Sequence, residues 1–329
     1  MKEKIISVCV LLWVFCATFS YAAERALRGA YPAPVAVYLP LWAAKETGIF
    51  KRRNIPTEIV SIGSSPIALS SLLAGEIDFL VGGGLTGISA YLQGYRDLKL
   101  FASINNRFVF AVYAHASIAN VSALRGKRFG VTRFGGQLDF ATRYFLKRSG
   151  LDPVKDVSLI QINRVPDILA ALTAGSIDAG TLAIPYNFQA KKLGFRELAD
   201  LTQIQARYAG AAFISKKQFL LEHRTRIQAF IKGLMEGIHF VKSHRQESLR
   251  ILSLYTRVSD LGSLESAYDF HVKNIWPQAP AIHYEDLELI IEQLAEGNPR
   301  ARNITPSDLI DSQLVKEIVD AGFLRELYK

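Results

Sequence analysis

The chain has 329 residues, 50% of them hydrophobic and 21% charged, and carries a formal net charge of +9. This composition excludes an intrinsically disordered chain and fits a globular protein. The basic residues are scattered, without the dense basic and aromatic stripe of a nucleic-acid binder, so the charge reads as a general surface property that mildly favours anions.

Residues 1–22 have the build of a cleaved Sec signal peptide: Lys2 and Lys4 at the start, an apolar run from Ile5 to Phe19, and Ser20 and Ala22 at A-x-A spacing. The run is shorter than the ~20 residues that span a bilayer. Export into a periplasm as a soluble protein is the expectation. Cys9 and Cys16 both lie in this segment, so the remaining chain has no thiol for a disulfide or a metal. Trp13 and Phe15 stand where a lipid-anchor signal needs an aliphatic and a small residue. The remainder exceeds what one hydrophobic core usually serves, and two lobes are expected.

From residue 27 the pattern alternates strands and helices. "LRGAYPAP" reads as a strand and loop, "VAVYLPLWAAKETGIFKRRNI" as an amphipathic helix with a glycine stop, and "TEIVSI" as the next strand. "GSSPIALSSLLAGEIDFLVGG" at 63–83 then matches "NRVPDILAALTAGSIDAGTLA" at 163–183 without gaps. The identities are Pro66/Pro166, Leu69/Leu169, Leu72/Leu172, Ala74/Ala174, Gly75/Gly175, Ile77/Ile177 and Asp78/Asp178. Each copy reads as strand, proline near the first helical turn, short helix, glycine stop and strand, which is a right-handed parallel crossover. "RFGVTRFGG" and "QLDFATRYFLKRSGLDP" repeat the upstream block before the second copy. "RFVFAVYAH" (107–115) reads as the β stretch leaving the first lobe and "RYAGAAFISKK" (207–217) as the return.

Beyond the return, helices are expected around 227–241, 244–255, 285–296 and 306–322, the last with Thr305 as cap and Pro306 at the first position, all packing on the first lobe. The expected division is 1–22 signal peptide, 23–110 first part of lobe 1, 111–208 lobe 2, and 209–329 return to lobe 1 with the C-terminal helices.

Open parallel sheets bind ligands outside the carboxyl ends of their strands, so two facing lobes make one cleft. Candidate residues come from the loops at those ends. In the first lobe these are Tyr31 and Pro34 of "YPAP", Gly63, Ser64 and Ser65 at a helix start, Gly83, Gly84 and Thr86 of "GGGLTG", and Asn105. In the second they are Arg133, Phe134, Gly135 and Gly136 of "VTRFGG", Arg164 as a reserve cation, and Tyr186 either as an aromatic wall or as a core residue. Hydroxyls and free N–H groups at helix starts suit an anion or polar group. Arg133 either clamps a carboxylate or sulfonate, or points to solvent or pairs with Asp139; Ser64 either meets a ligand, caps its helix, or does both. "GGGLTG" fits G-x-G-x-x-G literally, but the next strand ends in Asn105 and Asn106 with no carboxylate for a ribose, so it reads as a small-residue cleft wall and no cofactor is expected. Asp78 and Asp178 follow helix-ending glycines and read as turn formers. The six histidines show no metal-ligand spacing, and no catalytic set is visible.

The blocks "PLWAAKETGIFKRRNI", "LLAGEIDFLVGGG", "LRGKRFGVTRFGG", "LTAGSIDAGTLAIP" and "KLGFRELADL" together resemble the extracytoplasmic solute-binding proteins of ABC importers, in the branch grouped with nitrate, sulfonate and taurine binders and NMT1/THI5-like proteins. The resemblance implies an α/β, type II periplasmic-binding-protein fold: two doubly wound α/β lobes joined by two crossover strands. It implies a monomer that captures a small-molecule ligand by hinge closure and hands it to a membrane permease, with no nucleic-acid partner; the helix starts, hydroxyls and one or two arginines suit a small organic anion, a sulfonate or carboxylate. Rival readings are an enzyme of the same fold, similar to thiamine-pyrimidine synthases or chorismate dehydratase, a binder of a neutral heterocycle such as a pyrimidine or flavin, and a sensory ligand-binding module.

Overall fold

The computed structural model describes residues 25–329, and the expected signal peptide lies outside them. Among the described residues no helix is long and apolar enough to cross a membrane. The described residues form ten strands: β1 Leu27–Tyr31, β2 Thr57–Ser61, β3 Phe79–Val81, β4 Leu98–Ser103, β5 Phe110–Ala114, β6 Arg128–Val131, β7 Ser158–Gln161, β8 Ala179–Ala183, β9 Arg196–Asp200 and β10 Ala212–Lys216. They form two five-stranded sheets, in the orders β2-β1-β3-β10-β4 and β7-β6-β8-β5-β9.

The two orders are one permutation written twice. In each lobe the first three strands pair in parallel, as strand–helix–strand crossovers require. The fourth place is taken by an antiparallel strand that has just arrived from the other lobe: β10 against β3 and β4, and β5 against β8 and β9. The segments expected as crossover strands therefore lie largely inside the sheets. The passages themselves, 104–109 and 204–211, pair with each other through Ile104 N–H to the Ala211 carbonyl (3.1 Å), Gly210 N–H to Asn105 (3.0 Å) and Tyr208 N–H to Asn106 (2.9 Å).

The repeated phrase builds the same parts in both lobes. The helices Ser65–Ala74 and Val165–Thr173 each carry a proline in the first turn. Gly75 (φ 79°) and Gly175 (φ 67°) stop them in the left-handed region that glycine enters without strain. The two aspartates do more than form turns. Asp78 accepts the Arg28 N–H (2.9 Å) and that residue's guanidinium (3.1 Å), and is gripped by Arg25 at 2.8 and 3.0 Å. Asp178 accepts the Arg128 N–H (2.8 Å) and its guanidinium at 2.9 and 3.0 Å. Arg28 and Arg128 also bond the carbonyls of Gly75 and Gly175 (2.8 and 2.9 Å). Each lobe thus has an arginine–aspartate clasp that ties the first strand to the end of the helix crossing over it.

The helix Arg224–Ser243 presses on Leu39–Glu46 so closely that a Cβ on Gly237 would lie 2.4 Å from the Pro40 carbonyl oxygen. Arg245–Thr256 and Glu285–Gly297 fall where the periodicity places them. The expected helix at 306–322 is two: Pro306–Leu309 and Gln313–Asp320. Ile310 leaves the helix to bridge Leu100 of β4, and Asp311 N–H bonds the Leu100 carbonyl (2.9 Å). Thr305 holds the cap position without a side-chain cap bond. A further helix, Leu261–Asn274, is capped by Asp260, which accepts the Ser263 N–H (2.8 Å). These helices brace the first lobe but also reach the second, through Lys192–Asp260 (2.7 Å) and Lys147–Glu296 (2.6 Å).

Candidate ligand-binding cleft

The lobes meet over the carboxyl ends of their parallel strands. Three helix N-termini converge there: Ser65–Ala74 from the first lobe, Gln137–Arg148 and Val165–Thr173 from the second. None has a side-chain cap bond, so first-turn N–H groups remain as donors except at Pro66 and Pro166, which have none, and at Asp167, whose N–H goes to the Arg164 carbonyl (3.1 Å); the positive ends of three dipoles face one volume. That volume is a cavity of ≈ 40 Å³. Its described lining includes Gly63, Ser64, Ser65, Asn105 and Gly136 of the expected residues, with Pro32, Val37, Tyr38, Phe110, Thr132, Gln137, Leu138 and Val165 among those not foreseen. No described lining residue is charged.

Ser64 is the polar residue out of balance. It is 5% exposed, and its hydroxyl has no hydrogen-bond partner among the described residues. A buried hydroxyl without a partner costs free energy, and at a cavity wall the economical account is a partner supplied by a ligand. Asn105 turns its Oδ1 to the Arg107 N–H (2.8 Å), which leaves its NH2 as a donor beside Gly210, also in the lining.

Gln137 joins the lobes. Its Nε2 donates to the Gly82 carbonyl (2.9 Å), and its Oε1 faces the Tyr208 hydroxyl (3.5 Å). Burial raises the Tyr38 and Tyr208 hydroxyls far above the usual phenol range, so both stay protonated. Ala36 N–H to the Ile184 carbonyl (3.0 Å) and Tyr186 Oη to the Pro34 and Thr256 carbonyls (3.3 and 3.0 Å) add further contacts between the lobes.

The glycine run does not offer its N–H groups to this volume. Gly82 and Gly83 donate to the Ala212 carbonyl (2.9 and 3.3 Å), and Gly84 donates to Ala209 (2.7 Å). Gly83 (φ 81°) has no room for a Cβ, which would stand 2.8 Å from the Ala209 oxygen. Thr86 turns its hydroxyl back to the Gly82 carbonyl (2.8 Å). These residues hold the return passage against the first sheet.

Of "VTRFGG", Thr132 and Gly136 line the cavity, while Arg133, Phe134 and Gly135 do not. The Gly136 N–H closes on the Arg133 carbonyl (2.9 Å), and in this turn Phe134 and Gly135 are exposed while Arg133 is half-buried. Phe134 is 49% exposed, with its ring 5.7 Å from the Arg143 guanidinium. Asp139 is taken by Arg143 (2.8 Å) and the Gly135 N–H (2.9 Å), not by Arg133.

Tyr31, Pro34, Arg164 and Tyr186 gather elsewhere, on a groove of ≈ 1080 Å³ at the mouth of the cleft. Arg164 is bound to Asp167 at 2.8 and 2.9 Å. Burial pushes the Tyr31 hydroxyl up to about 12.

Two α/β lobes of one topology, joined by paired passages and closed over their strand ends, define a periplasmic-binding-protein fold. Residues 33–253 match the NMT1-like family, and the chain belongs to it. The Bacillus subtilis protein YtlA is 21% identical over 287 residues, 85% of this chain and 86% of YtlA. The alkanesulfonate-binding protein SsuA from Xanthomonas axonopodis pv. citri, solved bound to MOPS, superposes with a TM-score of 0.71 at 19% identity, covering 84% of this chain and 93% of that one. The periplasmic nitrate-binding protein NrtA from Synechocystis PCC 6803 gives 0.71 at 16% identity, covering 90% and 89%.

Proposed function

We propose that this protein is the exported, monomeric solute-binding component of an ABC importer, and that it captures a small organic anion between its lobes for delivery to a membrane permease. The buried, unpartnered Ser64 hydroxyl at the head of the helix Ser65–Ala74 carries the reading. With the starts of two second-lobe helices opposite, it forms a donor-rich end suited to carboxylate or sulfonate oxygens. Pro32, Val37, Phe110, Leu138 and Val165 supply apolar walls. Charge is met by helix dipoles and hydroxyls, with Arg133 outside the contact set. The names of SsuA and NrtA, binders of alkanesulfonate and nitrate, support an anion. Binding needs no bond chemistry: a ligand that touches both lobes stabilises the closed state over the open one, and that difference moves the population.

Ser64→Ala separates the hydroxyl's two effects. Removing an unpaired buried hydroxyl stabilises the ligand-free protein by about 1 kcal/mol, a rise of roughly 2 °C in Tm. The same change weakens the bound anion about tenfold, while Arg133→Ala leaves affinity unchanged. Thermal shift and calorimetry against sulfonates, carboxylates, nitrate, pyrimidines and riboflavin measure both. If only neutral compounds bind, the anion is wrong; if a bound compound is turned over, the protein is an enzyme.

A further inference from the structure

The inner cavity is too small for a whole organic solute. At about 10–15 Å³ per water, ≈ 40 Å³ holds about three to four heavy atoms, the size of one carboxylate or sulfonate head. The rest of the molecule needs another place. The groove of ≈ 1080 Å³ at the mouth of the cleft shares Pro32, Ala33 and Gly63 with the inner cavity, so the two are continuous.

The charges of the groove are unevenly matched. Its carboxylates are engaged: Asp167 by Arg164 (2.8 Å), and Glu46 by the Tyr255 hydroxyl (2.6 Å), with Lys45 4.0 Å away. Arg257 is exposed on the same groove, at the end of the helix Arg245–Thr256, and has no ion-pair partner among the described residues. Its backbone stands in the left-handed region (φ 56°), unusual for a residue with a side chain, held there by its N–H bond to the Ser253 carbonyl (2.8 Å).

We propose that the solute is elongated and two-ended: one acceptor head sits in the inner cavity at Ser64, the chain runs out past Pro32 and Gly63, and a second anionic group at its far end meets Arg257. This rests on the binding-protein reading above and adds the class of ligand, a molecule of the length and charge pattern of an α,ω-diacid.

The test titrates the purified protein calorimetrically with matched straight-chain acids: acetate and methanesulfonate as heads alone, the monoacids from propionate to decanoate, and the diacids from malonate to sebacate. Affinity is expected to rise along the monoacids by about threefold for each methylene that the groove buries. At the length that reaches Arg257, the diacid binds about fivefold tighter than its monoacid, and Arg257→Gln removes that preference while leaving the monoacid unchanged. If head-only acids bind and added length brings nothing, or if Arg257→Gln retains the diacid preference, the two-ended solute is overturned and the binding-protein reading stands. If no acid of the series binds, the anion reading fails with it.

Discussion

Asp78→Asn is expected to lose about 3 kcal/mol of folding stability, and Asp178→Asn, at the equivalent place in the second lobe, about 1 kcal/mol. The clasp is the same in both lobes, but its surroundings are not. The Asp78 side chain is 4% exposed and that of Asp178 is 26% exposed. Burial alone would push the Asp78 carboxyl up; the hydrogen bonds from Arg25 and Arg28 outweigh it and hold the carboxyl below the usual range. Asp178 is also held down, chiefly by the Arg128 guanidinium. An asparagine at 78 would leave the Arg28 strand N–H and the inner faces of two guanidiniums, whose outer faces water reaches, against a neutral group that is itself buried, whereas at 178 water can stand in beside the side chain. The sign with pH follows from the depression: the Asp78 contribution is full above the carboxyl's unfolded value near 4 and is lost as pH falls through its lower folded value. Urea unfolding of both variants near neutral pH checks the asymmetry. Equal losses would mean that burial does not set the strength of the clasp.

The lobes were legible in the sequence because the repeat writes local structure directly: Pro66 and Pro166 start helices, Gly75 and Gly175 end them, and the flanking apolar runs become parallel strands. The clasp was not, because Arg28 and Asp78 are fifty positions apart and no local period connects them, although Arg128 and Asp178 repeat the spacing. At the cleft, the helix starts were predicted and the side chains around them only in part. Ser64, Ser65 and Gly136 reach the cavity because a helix N-terminus points along its own axis, which the pattern specifies. Arg133 and Phe134 are not in its lining: they stand in a tight turn closed by Gly136 N–H on the Arg133 carbonyl, whose course no periodicity specifies. Gln137 is not among the expected residues, and its reach to the Gly82 carbonyl exists only once the lobes meet. Ile310 shows the same limit at the C terminus: a helical pattern gives way where a β-strand edge offers a bridge.

Acid is expected to remove about 3 kcal/mol of stability between pH 6.5 and about 4, through His271. This histidine is fully buried on the helix Leu261–Asn274, and burial lowers its pKa to about 4, against which its bond to the Ala267 carbonyl (2.7 Å) acts weakly. A carbonyl only accepts, so Nδ1 carries the proton and Nε2 is bare, without a partner among the described residues. In the unfolded chain the same imidazole takes a proton near pH 6.5. Above that value neither state is charged and the stability is complete; between 6.5 and 4 only the unfolded state binds the proton and folding weakens; below 4 both bind it and the loss stops. The size follows from about 1.4 kcal/mol per unit of difference. His271→Phe is expected to flatten the slope in that window, measured as urea stability against pH. The consequence reaches the cleft, because Trp276 packs on the His271 ring (5.1 Å) and its indole N–H donates to the Val37 carbonyl (3.1 Å), in the short turn that sets Val37 and Tyr38 on the cavity wall. Loosening this support at acid pH should therefore lower ligand affinity in the wild type before global unfolding, and not in His271→Phe. An affinity that falls equally in both would assign the acid effect to the ligand or to the rest of the cleft.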